Sequence, residues 1–380
     1  MSALESVSEC RTELRAKAHG RKYAILGYYG HGNFGDDLLA RAVIPLVLQR
    51  VTPQELLVSA PRNCYIEDWF PGVRCVPLRW STRHEYESVE KVVLGGGGLF
   101  FAFRSRNPFQ FFGLLHSSIC GLHLHLASPQ WRRRTHKYAF CVGVGPLDAP
   151  FSRRLAASYL ASFDHVAVRD TESASIVARC GLTNAVVATD AAVGVASQWL
   201  SAPPTDRDRV GIVVRHWAHG QGGKDILGSL AEASRRLSEL GVLCHFFSFD
   251  PAHDAIACRE LERSGSEVIR WNPRESPESF VSMLARCRVL LTMRAHGVLF
   301  AWSMGIPAVP IIVEPKLLAF ANRYAPGHPC LSVNCSVADI VQAALRVPYL
   351  PNTSLNGPSQ AREARLLAEE SASLLDWLSS

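Results

Sequence analysis

No C-x-x-C pair occurs anywhere in the chain, and its eleven cysteines are scattered and odd in number. That pattern argues against both a zinc ribbon and a disulfide framework, and fits reduced, mostly buried thiols in a cytoplasm. A Lys/Arg run of the nucleic-acid-binding kind is also missing. With a net charge of +6 and only 19% charged residues, no nucleic acid is expected as a partner, and Arg132-Arg133-Arg134 with His136 and Lys137 reads as a solvated face. The stretch from Met1 to Gly20 is polar and charged, unlike a signal peptide. No His/Cys/carboxylate cluster has metal-ligand spacing, so no metal is expected. Short-period repeats and low-complexity tracts are absent. One long stretch does lack charge, Asn107 to Gln130, between Arg104 and Arg106 on one side and Arg132 on the other. Its Pro108, Gln110 and three histidines make it too polar for the about 20 predominantly apolar residues of a spanning helix. It reads as one or two core helices with an adjoining loop, or as a peripheral contact with the inner face of a bilayer.

What is there is a chain with 48% hydrophobic residues, ample for buried cores. Short β-rich runs alternate with helical patterns along its length. Strands are predicted at Tyr23–Leu26, Glu55–Val58, Lys91–Leu94, Tyr138–Val142, His165–Val168 and Ala185–Ala188. A Pro- and Asp-rich stretch, 197–209, reads as a linker. A second series follows at Val210–Val214, Val242–Phe247, Glu267–Arg270, Val289–Leu291 and Ala308–Ile312, with helices such as Asp225–Leu240 and Pro277–Arg286 between. Such alternation implies parallel sheets of βαβ units. The expected fold is therefore α/β, with two Rossmann-like domains facing a cleft. Residues 1–197 form the first, 210–350 the second, and 351–380 a tail ending in an amphipathic helix from about Ser359 to Leu378.

Ligands of such sheets sit beyond the carboxyl ends of the strands, so the loops after the strands hold the candidates. The first is Gly27 to Asp37, GYYGHGNFGDD. Its glycines let backbone N–H groups approach an anion, and the following helix adds a positive dipole end. No Walker lysine follows. Asn33 can donate to a bound carboxylate or phosphate, and Asp36 is either a helix N-cap or a group that orients a hydroxyl. A second loop is GGGGLF, whose glycines, Gly96 and Gly97 among them, leave room for a ligand or for close packing. CVGVGPL, Cys141 to Leu147, is a weaker example. VRDTES places Arg169 at a strand end, either binding a ligand or bracing its loop through Asp170 or Glu172. The most informative is MRAHGVLFAWSMGIPAVPIIVEPK, Met293 to Lys316. Arg294 and His296 stand there between a core strand and a core helix, a costly burial without partners.

These motifs, with Thr189-Asp190 and VVRHW, resemble the polysaccharide pyruvyl transferase family in composition and order, over residues 25 to about 316. The resemblance implies a GT-B-like fold. It also implies transfer of a pyruvyl group from phosphoenolpyruvate to two hydroxyls of a sugar in a cell-surface polysaccharide or its precursor, giving a cyclic ketal. Carried over residue by residue, it puts Asn33, Gly35 and Asp36 at the cleft and Arg294 and His296 opposite. Arg215 and Lys316 match basic family positions. Ala295 stands where the family usually has Leu, Asp37 where Glu is common, and Val313-Glu314 where an aromatic and an acid are frequent. The donor's phosphate and carboxylate call for several cations, supplied by Arg215, Arg294, Lys316 and Arg169, and for the backbone donors of Gly35, Gly96 and Gly97. An imidazole ordinarily titrates near neutrality, which suits His296 to general acid/base work, with Asp36 assisting on the acceptor. No cofactor is expected beyond phosphoenolpyruvate as substrate. The acceptor's form, including a lipid-linked one, stays open. One rival is a nucleotide-sugar glycosyltransferase of the same fold, with Glu314 on the ribose. Another is a scaffold that has lost its chemistry, against which stand Asn33, Asp36, Arg294, His296 and Lys316.

Overall fold

The structure, a computed structural model, describes residues 22–102, 121, 122, 124, 131, 134–147, 150–200, 204, 206–217, 225–347 and 357–380. The uncharged stretch 107–130 therefore lies outside the described residues, apart from Gly121, Leu122 and Leu124. Among the described residues no helix is long and apolar enough to cross a membrane.

The chain forms two compact units, each built on one parallel sheet. In the first, the elements run β1 (Tyr23–Leu26), α1 (Phe34–Val47), β2 (Leu56–Ser59), α2 (Tyr65–Trp69), β3 (Arg74–Val76), β4 (Lys91–Ala102), β5 (His136–Leu147), α3 (Pro150–Leu160), β6 (His165–Val168), α4 (Thr171–Arg179) and β7 (Val186–Val187). Seven strands order as β3-β2-β1-β4-β5-β6-β7. The central strands are continuous apolar runs buried on both faces, as helix-covered parallel sheets require. Their core includes Leu26, Leu94, Phe100, Val142 and Tyr159. The sheet reverses its winding between β1 and β4, where Ile25 pairs with Val93.

The second unit runs β8 (Arg209–Val214), α5 (Asp225–Glu239), β9 (Leu243–Ser248), α6 (Ala255–Arg263), β10 (Val268–Arg270), α7 (Pro277–Ala285), β11 (Cys287–Thr292), α8 (Ala295–Ser303), β12 (Ala308–Ile312), α9 (Pro315–Tyr324), β13 (Leu331–Ser332) and α10 (Val337–Arg346). Its six strands order as β10-β9-β8-β11-β12-β13. This sheet reverses between β8 and β11, in register from Val289↔Val210 to Thr292↔Val213. Val210, Ile212, Phe246, Leu291 and Val309 fill its core. A last helix, α11 (Pro358–Ser379), follows.

Three features differ from the sequence expectation. The glycines of GGGGLF lie inside β4 rather than in a loop after it, with Gly95 opposite Phe140 and Gly97 opposite Val142. The unit boundaries also differ. Gly32–Leu38 groups with the second unit, and the end of α11, Leu366–Ser380, with the first. There Tyr138 donates to Glu370 (2.6 Å), while Lys91 Nζ donates to the carbonyls of Trp377 (2.7 Å) and Leu378 (3.2 Å) at the helix end, a favourable place for a cation. Lastly, the expected linker is partly structured. Ala196–Trp199 is a 3-10 turn, and Arg207 donates to the carbonyls of Met304 (2.7 Å) and Gly305 (2.9 Å) just past α8.

Candidate functional site

Arg215 directly follows β8, and Arg294 follows β11, so both stand at the reversal point of the second sheet, where ligands of such sheets bind. The turn into α8 is tightly specified. Thr292 Oγ1 accepts from the Arg294 N–H (3.0 Å) and donates to the Arg294 carbonyl (3.0 Å). Gly297 makes room for this threonine, since a Cβ there would meet Thr292 Cβ at 3.0 Å. The result fixes Arg294 as the N-cap residue of α8 and His296 in its first turn, nearly buried.

The segment Gly32–Leu38 is pinned to this same unit by side chains of widely separated parts of the chain. Phe34 is fully buried. Its ring lies 4.7 Å from that of Phe249, 5.0 Å from Trp271 and 5.2 Å from Phe280, all tilted or edge-on. Its N–H donates to the Phe249 carbonyl (2.8 Å). Trp271 Nε1–H donates to the buried Asp37 carboxylate (2.6 Å). Asn33, expected to donate to a bound anion, donates instead to Asp250 (3.2 Å) and accepts the Gly35 N–H (3.0 Å). Helix α1 begins at Phe34, so Asp36 lies within its first turn and is not its N-cap. Gly35 abuts the imidazole: a Cβ on Gly35 would stand 2.6 Å from His296 Cγ and nearer still to Nδ1. Asn33, Gly35, Arg294 and His296 are thus brought together, within one unit rather than from two.

Two acids that the sequence reading passed over organise this cluster. Asp254, fully buried, accepts from Arg294 Nη2 (2.5 Å), the His216 N–H (2.9 Å) and Ser248 Oγ (3.3 Å). Asp250 accepts from Asn33, lies 3.0 Å from His253 Nδ1, and sits 3.8 Å from Arg294 Nη1. Their signal in the sequence is an Asp-x-x-x-Asp just beyond β9, again after a strand.

The predicted cations converge on a third acid. Arg215 Nη1 pairs with Glu314 at 2.6 Å, with its guanidinium 4.5 Å from the Trp217 ring centre. Burial alone would raise the Glu314 carboxyl, but Lys316 and Arg215, with Arg294, outweigh it and hold it below the usual carboxylate range. This arrangement can receive an anion or orient polyhydroxylated ligands.

The remaining predicted residues lie in the first unit. Arg169 takes up its bracing role there: it is buried and paired with Asp170 (3.1 Å) and Asp190 (3.4 Å), and Gly143 leaves space for its guanidinium. Asp170 caps α4 by accepting from the Ser173 N–H (2.7 Å). Gly96 gives way to Leu39, whose Cδ2 would be 2.8 Å from a Cβ there. Gly96 and Gly97 have φ of 61° and 79°, the left-handed region that glycine tolerates. Gly30-His31-Gly32-Asn33-Phe34-Gly35 has the G-x-G-x-x-G spacing of a dinucleotide fingerprint, but its third glycine serves here to seat His296.

A family model described as polysaccharide pyruvyl transferase matches residues 33–315. No curated protein matches the chain. Among solved structures, the chain is similar to UDP-N-acetylglucosamine 2-epimerase from Rickettsia bellii, at 10% identity and a TM-score of 0.61, over 94% of this chain and 97% of that one. It is also similar to UDP-GlcNAc 2-epimerase from Methanocaldococcus jannaschii, at 13% identity and a TM-score of 0.56, over 92% and 99% of the two chains. The enzyme from Neisseria meningitidis bound to UDP-GlcNAc gives 12% identity and a TM-score of 0.53, over 93% and 100%. These likenesses show the fold, which is GT-B-like.

Proposed function

Since the chain belongs to the polysaccharide pyruvyl transferase family, we propose that it transfers a pyruvyl group from phosphoenolpyruvate to two hydroxyls of one sugar, in a polysaccharide or its precursor. The observation that carries this reading is the gathering of Arg294, His296 and the Asn33-Phe34-Gly35 segment at the reversal point of the second sheet. A proton added to the donor's methylene carbon makes its C2 oxocarbenium-like. One sugar hydroxyl attacks C2, the C2–O bond to phosphate breaks, and the second hydroxyl closes the ketal. The two hydroxyl protons balance the one placed on carbon and the one leaving with phosphate. His296 is the acid/base group for these transfers, and Arg294, Arg215 and Lys316 hold the donor's anionic groups. Asp36 orients the acceptor. The free cysteines among the described residues support a cytoplasmic setting.

The test is calorimetric titration with phosphoenolpyruvate, UDP-glucose and UDP-galactose, together with turnover of His296→Ala. Phosphoenolpyruvate is expected to bind and the UDP-sugars are not. His296→Ala should lose about a hundredfold or more in turnover, the usual size of a general acid/base contribution, with the donor still bound. Binding of a UDP-sugar alone would move the protein to nucleotide-sugar transfer with Glu314 on the ribose. Near-normal turnover of the variant would remove His296 from the chemistry.

A further inference from the structure

We infer that Asp250 and Asp254 are positioning residues that hold Arg294 and Asn33 in the geometry the donor meets; this rests on the reading of Arg294 as a donor ligand. A guanidinium on a long side chain loses much rotamer freedom when it is fixed, and a preorganised fork keeps that cost out of the binding step. Asp254 supplies the fixation. It is fully buried, and its bonds from the His216 N–H (2.9 Å) and Ser248 Oγ (3.3 Å) hold the carboxylate that takes Arg294 Nη2 at 2.5 Å. Asp250, one helical turn earlier, takes Asn33 Nδ2 at 3.2 Å and faces Arg294 Nη1 at 3.8 Å. One acid pair thus sets the angle of the arginine and ties the Asn33 segment beside it. Arg294 Nε, buried, has no hydrogen-bond partner among the described residues. A guanidinium offers five N–H donors, and a buried one left unmatched is costly unless a ligand meets it. Two carboxylates beside one arginine weaken its bare attraction for an anion, so their contribution is geometry rather than charge.

A double-mutant cycle on phosphoenolpyruvate affinity separates positioning from general support of the fold. It compares the full chain with Asp254→Asn, with Arg294→Gln, which keeps an N–H for Asp254, and with the two combined. If Asp254 acts through Arg294, Asp254→Asn raises Kd about tenfold, by analogy with the outer partners that orient metal ligands. In the Arg294→Gln background it then changes Kd little. Equal losses in both backgrounds, or no loss in either, would overturn the inference and leave the proposed function standing. Absence of binding by the unsubstituted chain would instead remove the functional reading and this role with it. Thermal melting accompanies each variant. Should Asp254→Asn not fold, the same cycle with Asp250→Asn decides, with a smaller expected effect because its arginine contact is longer.

Discussion

A single missing side chain explains why an imidazole can stand where it does. Gly35 has no Cβ, and the space a Cβ would need is filled by the His296 ring, 2.6 Å from that position at Cγ. Its backbone is not in the left-handed region, so conformational freedom is not the reason for glycine here; room is. Gly35→Ala should therefore push the imidazole aside while leaving both sheets intact. A displacement of about 1 Å in a reacting group is enough to cost on the order of a hundredfold in rate. We expect Gly35→Ala to lose turnover on that scale with phosphoenolpyruvate affinity and melting temperature nearly kept. Steady-state kinetics with calorimetry would check this, and a fully active Gly35→Ala would show that His296 is not held by this contact. The same logic makes the glycine legible in retrospect. The sequence reading assigned it to backbone contact with the donor, because steric room for a residue 261 positions away cannot be seen in a local pattern.

Among elements, the first turn of α1 is anchored far from its neighbours in sequence. Phe34 enters a cluster of Phe249, Trp271, Phe280, Phe300 and Trp199, and Asp37 receives the Trp271 N–H at 2.6 Å. Truncating a buried phenylalanine typically costs about 3–5 kcal/mol. Phe34→Ala should lower unfolding stability by that order. It should also raise amide exchange at residues 33–37 well beyond the rest of the second unit, as hydrogen exchange with peptide resolution would report. Exchange spread evenly over the unit would mean the segment is not held by this ring. The strands were largely readable in advance. Tyr23–Leu26, His165–Val168 and Ala308–Ile312 were placed to the residue, because a buried parallel strand is a short apolar run with turn signals at its ends. Arg74–Val76 and Leu331–Ser332 were not, being too short to show a pattern. Gly95–Gly98 read as a loop because glycine carries no strand preference. Their place in β4 follows instead from α1, whose Val43 and Leu39 would meet Cβ atoms on Gly95 and Gly96 at 2.9 and 2.8 Å. Arg294, His296 and Arg215 were found from their place after strands. Asp250 and Asp254 were missed because acids after a strand read equally well as a solvated loop.

For the molecule as a whole, stability must depend on pH through groups that folding buries. The clearest is Lys137, at the start of β5 in the first unit; it is not part of the solvated face its basic neighbours suggest but is fully buried, with its Nζ donating to the Thr135 carbonyl at 2.7 Å. Burial pushes its ammonium down from 10.5 to about 8, against the attraction of Asp164. At neutral pH the group is charged in both the folded and unfolded chain, and the folded chain bears the full cost of hiding that charge. Between about 8 and 10.5 the unfolded chain still holds the proton while the folded chain has released it. Unfolding then takes up a proton, so the contribution of Lys137 to stability rises with pH across that window and levels off above it. Other groups, the cysteines and tyrosines among them, titrate in the same range and would blur the effect in one protein alone. They cancel in a comparison with Lys137→Met, which keeps the length and apolar stem but has no proton to exchange. Denaturant unfolding at closely spaced pH values should show the substituted protein ahead at pH 7 by about 1–3 kcal/mol, because each tenfold weakening of proton binding on folding corresponds to about 1.4 kcal/mol. That lead should shrink steadily from pH 8 upward. A difference that stays constant from pH 7 to 11 would mean that Lys137 keeps its proton when folded, and that the Thr135 carbonyl and Asp164 together offset its burial.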